Sequence, residues 1–208
     1  MNFYSYVIFT FVITYVTAQS ALQERQKLKP EEFKFNPNNF RPTQGPGGSG
    51  LFVTIDNFPA LKNTGVSSGT FELLPCAIGP PHIHPRSSEL FHVLEGSFLT
   101  GFLEENGGRY IESNLTKGQM TVFPQGLVHY VQNLDCVNAT FLSSFGSEDP
   151  GTLTISTNLF RINQQALTST FNQPDDVIDS IRQTIPNPPA AGVGECRRRC
   201  GLPPISVC

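Results

Sequence analysis

The sequence predicts an all-β domain, and three observations support this fold class. The 208 residues include seventeen Pro, eighteen Gly and seventeen Phe, a composition typical of short strands separated by many turns. Short apolar runs with strand-like alternation follow one another from residue 51, and no long amphipathic helix is indicated among them. The length is sufficient for one domain with a full hydrophobic core. We therefore expect a single β-barrel, since no internal repeat indicates a second one.

The charge pattern does not indicate nucleic acid as a partner. The formal net charge is −3 and the pI is near 5.8, so the chain is mildly acidic. Its only basic cluster is the run Arg197–Arg199 between two cysteines. A nucleic-acid surface needs a basic stripe or patch, and the sequence has none.

The first eighteen residues predict a secretory signal peptide. They carry no charged side chain and are apolar from Phe3 to Val16, a run shorter than the ~20 residues that a membrane-spanning helix needs. Val16 and Ala18 provide suitable residues at −3 and −1 of a cleavage site, although the usual Lys or Arg before the apolar run is missing. A membrane anchor is the alternative. With cleavage, the mature chain begins near Gln19, is extracellular and has no membrane segment.

Two sequons and five cysteines agree with secretion. Asn114 and Asn138 each begin an Asn-x-Thr sequence, so both are candidate N-glycosylation sites. All five cysteines lie in the mature chain, where an oxidising compartment favours disulfides.

Three histidines and a glutamate form the candidate metal site. His82 and His84 are two residues apart, so both imidazoles leave the same face of a strand. Glu89 opens the apolar run LFHVL, and His129 lies in the later stretch GQMTVFPQGLVHYVQN. Imidazole and carboxylate ligands together suit a divalent transition metal such as manganese or iron in a six-coordinate site. Four protein ligands would leave two positions for water, dioxygen or a small anion.

The spacing of these four residues resembles the two signature motifs of the cupin superfamily. The first is HxH, four residues, Glu89, six residues and Gly96; the second runs from Gly118 through Pro124-Gln-Gly to His129 and Asn133. The stretches PPHIHPR, PQGLVHYVQN and SEDPGT resemble germin-like proteins, and the tail GECRRRCG is similar to spherulin-like cupins. The resemblance covers roughly residues 51–185. It implies a jelly-roll barrel with manganese at its mouth, and the single HxH excludes a two-domain cupin.

We divide the chain into a signal peptide at 1–18, an N-terminal arm without much regular structure at 19–50, a cupin barrel at 51–160, short helices at 161–185 and a Cys-containing tail at 186–208. Strands are expected at 51–55, 70–74, from Glu89, at 139–145 and at 153–157. Hairpins are expected over 96–117, with Asn106-Gly107 as the turn, and around Pro124–Gly126.

Alternation on the strand from Glu89 decides which of its residues face the site. Glu89, Phe91 and Val93 share one face, and His92 points the other way with its apolar neighbours, so His92 is not expected to be a ligand. Apolar residues on both faces indicate that the outer face meets another subunit or the arm. Helices are expected at 163–171 and 174–184. In germin-like proteins such helices clasp a neighbouring subunit, so the resemblance implies a homo-oligomer.

The cysteine spacing suggests two disulfides and an odd cysteine. Cys76 precedes the HxH motif and Cys136 follows the His129 strand, so we expect these two to pair. Cys196 and Cys200 would pair locally in the tail, and Cys208 would remain odd. Unpaired buried thiols are the alternative.

Departures from the germin pattern disfavour oxalate oxidase. The oxalate-oxidising germins have an Asn just before Pro-Pro-His, where this sequence has Gly79, and a second Asn upstream at the position of Gly69. Cys76 also replaces the first Gly of the motif. Three functions stay open: a manganese enzyme with superoxide dismutase-like activity, a structural, stress or storage protein whose metal site stabilises it, and a small-acid oxidase. Catalytic side chains beyond the metal ligands are not identifiable.

Overall fold

Two antiparallel sheets pack against each other in the computed structural model, which describes residues 22–204. The signal peptide, the mature start at Gln19 and Cys208 lie outside the described residues. The strands are β1 Thr43–Gly45, β2 Gly48–Val53, β3 Ser67–Leu73, β4 Ile78–Ile83, β5 Glu89–Glu95, β6 Ser97–Leu103, β7 Tyr110–Thr116, β8 Met120–Phe123, β9 His129–Asn133, β10 Ala139–Phe145 and β11 Leu153–Thr154. One sheet has the order β1-β2-β3-β10-β5-β8 and the other β11-β4-β9-β6-β7. The all-β prediction is confirmed.

Inward-facing aromatic residues from both sheets form the core. Phe91 of β5 contacts Phe98 of β6, with ring centroids 5.4 Å apart, and Phe141 of β10, with centroids 4.5 Å apart. The expected alternation on β5 is confirmed: Glu89, Phe91 and Val93 are buried, whereas Leu90 on the other face is 46% exposed. A one-residue shift in register would exchange these faces, so burial of the core also fixes where Glu89 points.

Strands begin earlier in the chain than expected. Residues 43–50 belong to the expected irregular arm at 19–50, but β1 and the start of β2 lie in this segment and pair with each other, and β2 pairs with β3. Its many glycines favour a loop in the sequence pattern. In the structure Gly50 is required inside the strand, because a Cβ there would lie 2.2 Å from the ring of Phe71.

The turn at Pro124–Gly126 does not form a hairpin, contrary to expectation. It joins β8 of one sheet to β9 of the other, so it is a connection between sheets. Sequence alternation shows where strands lie but not which sheet each one joins, which is why this prediction was wrong. The hairpin with the Asn106-Gly107 turn is confirmed, because β6 and β7 pair over their full length.

Four short helices follow the barrel or lie in the tail. They are α1 Ile155–Leu159, α2 Gln164–Phe171, α3 Asp175–Thr184 and α4 Gly194–Arg199. The second and third agree within one residue with the predicted helices, and the Asn163 side chain caps α2 by accepting from the Gln165 N–H at 2.9 Å. The expected strand at 153–157 is wrong beyond Thr154, since α1 begins at Ile155. None of the helices in residues 22–204 has the length and apolar character that a bilayer crossing requires.

The tail returns to the barrel beside β4. Ala190 and Ile78 exchange both backbone hydrogen bonds, at 2.8 and 3.1 Å, and the Gly47 N–H donates to the Pro189 carbonyl at 2.8 Å. Gly192 has a φ of +108°, and a Cβ there would lie 1.8 Å from the Cys76 carbonyl oxygen. Only glycine fits this approach, so the path of the tail is closely specified.

The four cysteines predicted to form disulfides do so, but the expected pairing is wrong. Cys76 bonds to Cys196 and Cys136 bonds to Cys200, with Cα atoms 5.5 and 5.3 Å apart. Cys76 and Cys136 are close, as expected, because the Cys76 N–H donates to the carbonyl of Asp135 at 3.2 Å. Helix α4 lies against this pair, and cysteines four residues apart face the same side of a helix. Each tail cysteine therefore bonds to a different barrel cysteine.

This connectivity gives a stability prediction. Replacing Cys136 and Cys200 together by Ser opens a loop with a sequence separation of 64 residues. The free energy of unfolding, measured by denaturant titration, should fall by about 2–4 kcal/mol. Val137→Ala is the matched control: Val137 is 65% exposed beside Cys136, so the change should stay within about 0.5 kcal/mol. Non-reducing peptide mapping that joins Cys76 to Cys136 would contradict the pairing.

Candidate metal centre

Both sheets contribute to the cluster of His82, His84, Glu89 and His129. His82 lies in β4 opposite His129 of β9, His84 follows the end of β4, and Glu89 opens β5 in the other sheet. One ligand atom from each residue lies within 4.8 Å of every other. Ring centroids of His82 and His129 are 4.3 Å apart, and those of His82 and His84 are 5.1 Å apart. The structure thus brings together all four residues predicted from the sequence, and His92 lies on the other face of β5.

Backbone carbonyls fix the orientation of all three imidazoles. The Nδ1 atoms lie 2.8 Å from the Pro80 oxygen for His82, 2.5 Å from the Gly151 oxygen for His84 and 2.8 Å from the Leu127 oxygen for His129. A carbonyl oxygen only accepts, so each Nδ1 carries the proton. In the neutral ring, Nε2 then presents a lone pair to the centre of the cluster. This is the arrangement that prepares a histidine to ligate through Nε2.

Glu89 is a buried carboxylate that accepts from one hydroxyl and faces the Nε2 atoms of two imidazoles. Ser143 of β10 donates through Oγ to Glu89 Oε1 at 2.5 Å. Glu89 Oε2 lies 3.0 Å from His84 Nε2 and 3.2 Å from His129 Nε2. Sequence reasoning missed Ser143, because no metal-site motif includes it. Its signal was the alternation in FLSSF, which places it on the same face as Phe141 and Phe145.

The protonation states favour a cation at the centre. Burial by itself would raise the pKa of Glu89, but the contacts with His129 and His84 outweigh it and hold that pKa well below its ordinary value. Burial, together with the nearby His129, lowers the pKa of His82 to about 3. The cluster therefore holds an ionised Glu89 and a neutral His82. A cation that takes the place of any proton at Nε2 of His84 and His129 would meet three nitrogen lone pairs and one carboxylate charge. This donor set fits a divalent transition metal.

A cavity of about 170 Å³ adjoins the cluster. Gly79 lines this cavity and Gly69 does not, and apolar side chains occupy the space beside both glycines, where the resemblance implies asparagines. A Cβ at Gly69 would lie 2.7 Å from the Phe71 ring, and a Cβ at Gly79 would lie 3.0 Å from Cγ2 of Val131. The Gln125 side chain offers no replacement donor, because it is exposed, donates to the Pro85 carbonyl at 2.9 Å and does not line the cavity. At both positions where the resemblance implies polar groups, the nearest side chains are therefore apolar, Phe71 beside Gly69 and Val131 beside Gly79.

Both glycosylation candidates are exposed. Asn114 lies on β7, and Asn138 lies in the loop between β9 and β10. Exposure is necessary for glycosylation but does not demonstrate it, so both sites stay predictions.

The two-sheet barrel, with a buried cluster of three histidines and a glutamate, defines a jelly-roll protein with a site suited to a metal. The chain belongs to the cupin family, whose sequence model, described as "Cupin", matches residues 35–176. The resemblance found in the sequence is confirmed.

Relatives lie among the spherulins and germin-like proteins. Spherulin-1A of Physarum polycephalum is 32% identical over 190 residues, which cover 90% of this chain and 77% of that protein. A germin-like protein of Mesembryanthemum crystallinum is 33% identical over 144 residues, covering 66% of this chain and 62% of that protein. A solved structure of oxalate oxidase aligns with a TM-score of 0.70 at 23% identity, covering 76% of this chain and 83% of its own, and so shares the fold.

Replacing His84 tests the cluster as a metal site. His84→Ala removes one of the converging Nε2 atoms, so metal affinity should fall at least about 100-fold while the barrel stays folded. The matched control is His92→Ala, since His92 lies on the same strand as Glu89 but on its outer face. Elemental analysis after dialysis gives the metal content, and circular dichroism checks the fold. Full metal content in His84→Ala would show that the cluster is not the binding site.

The metal-free protein should lose stability as the pH falls from about 6.5 toward 3. In this interval the unfolded chain protonates His82, whereas the folded protein, in which the pKa of His82 is about 3, does not. Stability therefore rises with pH, by at most about 1.4 kcal/mol per pH unit for one group. The depressed pKa of Glu89 adds a contribution of the same sign below 4.5.

Unfolding titrations in the presence of chelator measure this slope. His82→Gln should remove the part of the slope between about pH 4.5 and 6.5 that His82 contributes. Equal slopes in both proteins would contradict the assignment.

Proposed function

We propose that this cupin is a secreted manganese-binding protein with superoxide dismutase-like activity. The observation that carries the proposal is the convergence of three preoriented Nε2 atoms and one carboxylate on a single point beside a cavity. Manganese would be held by His82, His84, Glu89 and His129, with iron as the alternative ion. A bound ion of this kind supplies a one-electron redox change and a positive charge that attracts a small anion.

The residues around the cluster support this chemistry by holding their positions. Carbonyl contacts at each Nδ1 keep the rings aligned, and Ser143 keeps the Glu89 carboxylate oriented. Because these groups lie on or beside strands, they can bind an ion in two charge states without rearrangement. Superoxide carries one charge, and its dismutation needs an open position at the site and two protons, which solvent supplies, but no fixed donors that orient a second charge.

Oxalate is the less suitable substrate. A dianion must be oriented by donors beyond the metal, and loss of one donor costs about 10²–10³-fold in rate where it stabilises developing charge. The places for such donors beside Gly69 and Gly79 are bordered by Phe71 and Val131.

A structural, stress or storage role is the second candidate. The four candidate metal ligands come from both sheets, so a bound ion would connect β4 and β9 to β5 and stabilise the barrel without turnover. The burial of the cluster, with His84 and His129 each 2% exposed, suits such a role.

Secretion and self-association complete the proposal. Two disulfides and two exposed sequons support an extracellular location, and protein recovered from the medium should begin at Gln19.

Exposed apolar residues support a homo-oligomer. They are Leu90, Met120 and Val122 on the outer face of β5 and β8, and Phe171 and Ile181 of α2 and α3. Light scattering that finds only monomer would exclude it.

Assays of the manganese-loaded protein separate the candidates. We expect superoxide dismutase activity that disappears on chelation and in His84→Ala, and negligible release of peroxide from oxalate. Robust oxalate oxidation would show that the apolar surroundings of Gly69 and Gly79 do not prevent it. A protein that holds manganese but is silent in both assays would favour the structural role.

A further inference from the structure

An aromatic wall lines the cavity beside the metal cluster. The Phe52 and Phe71 rings meet edge to face with centroids 4.9 Å apart, and Phe71 stacks on Phe141 at 4.9 Å. Phe145 continues the wall to the cluster itself, because its ring centroid lies 4.7 Å from that of His84. The cavity is thus apolar along one side and ends at the metal ligands.

Two glycines hold Phe71 in this wall. Its ring lies over Gly50 of the neighbouring strand β2 and over Gly69 of its own strand, where added Cβ atoms would be 2.2 and 2.7 Å away. Any larger residue at either position would displace the ring. The position of Phe71 is therefore specified by glycines on β2 and β3 and does not result from loose packing.

The rest of the cavity surface offers no charge to balance a second anionic group. Its described lining residues include no Lys, Arg, Asn, Gln or Tyr, and the polar ones outside the cluster are all hydroxyls: Thr43, Ser49, Ser143, Thr152 and Thr154. Ser143 is already engaged with Glu89. An anionic group can thus be compensated only at the metal end of the cavity.

The volume fits a molecule with one ring. A cavity of about 170 Å³ compares with the ~150 Å³ cavity that holds benzene in an engineered protein core. One side of the cavity is formed by Pro188 and Pro189 of the tail, and the Pro189 carbonyl accepts a hydrogen bond from the Gly47 N–H. Thr43 on β1 and Thr152 before β11 are exposed lining residues at the rim.

We propose that this cavity binds a monoanion with a small aromatic body, such as an aromatic monocarboxylate or a phenolate. The anionic oxygen lies at the metal end, and the ring packs against Phe71 and Phe141. The inference rests on the proposed metal site and names the ligand class that this site accepts. It requires no turnover, so binding measurements test it directly.

Calorimetric titration of the manganese-loaded protein compares two pairs of probes. Benzoate should bind at least about tenfold more tightly than acetate, because it buries a phenyl ring in addition to the same carboxylate. 4-Methylbenzoate should bind at least about tenfold more tightly than terephthalate, which has a similar length but a second charge that the apolar wall cannot compensate. Binding of benzoate should be lost in the metal-free protein and in His84→Ala.

A rim substitution tests the location. Thr43→Trp places a large side chain at the exposed rim on edge strand β1, so benzoate affinity should fall at least about tenfold while manganese content and melting temperature stay unchanged. Gln44→Trp is the matched control, because Gln44 is the exposed neighbour on the same strand and does not line the cavity. Its benzoate affinity should equal that of the parent protein.

Each outcome has a distinct meaning because metal content is measured first. Failure to take up any divalent ion refutes the metal site, and the ligand proposal fails with it. If manganese is bound, equal affinities for benzoate and acetate overturn the ligand proposal alone. Equal loss in Thr43→Trp and Gln44→Trp overturns the location, and undiminished benzoate binding without metal overturns the placement of the carboxylate.

Discussion

The burial of the Glu89 carboxylate is the constraint on which the rest of the site depends. The side chain is almost fully buried, and among residues 22–204 the side-chain nitrogen atoms nearest to it are Nε2 of His84 and Nε2 of His129. Transferring a carboxylate from water costs several kcal/mol unless other charges or donors compensate. Ser143 supplies one donor. Because each Nδ1 carries a proton toward a backbone carbonyl, a neutral imidazole in this cluster adds a lone pair at Nε2 and no further proton. A divalent cation satisfies the carboxylate and the three nitrogen atoms together.

This requirement also explains local features of β4. The register between β4 and β9 shifts between Gly79 and His82, where Pro80 and Pro81 lie. Proline lacks a backbone N–H, so it fits a strand only where the ladder is interrupted. The carbonyl of Pro80 is then free of the regular pairing and accepts the proton of His82 Nδ1. The irregularity thus orients a ligand, which is a common use of bulges beside functional sites.

The sequence predicted what depends on local spacing and missed what depends on distant packing. His82, His84, Glu89 and His129 were predictable because strand alternation and two short motifs determine their directions. The cysteine pairing was not, since Cys76 and Cys196 are 120 residues apart and their meeting depends on the course of the tail. The strand at Gly48–Val53 was partly missed because its glycines indicate a loop until the ring of Phe71 is known to cover them. The contact of Ser143 with Glu89 was not predicted for the same reason, because it depends on the packing of distant strands.

Gly69 has a different meaning in the structure than in the sequence. Compared with the oxalate-oxidising germins it is a missing donor, whereas in this barrel it provides the space in which Phe71 lies. An asparagine at this position would have to displace that ring, so a polar donor and the aromatic wall exclude each other. Having the aromatic wall in place of a polar donor reduces the number of anionic groups that the cavity can accept, because an anionic group is then compensated only at the metal end. The proposed ligand class would thus follow from a glycine and a phenylalanine two residues apart on one strand, with the four candidate metal ligands unchanged.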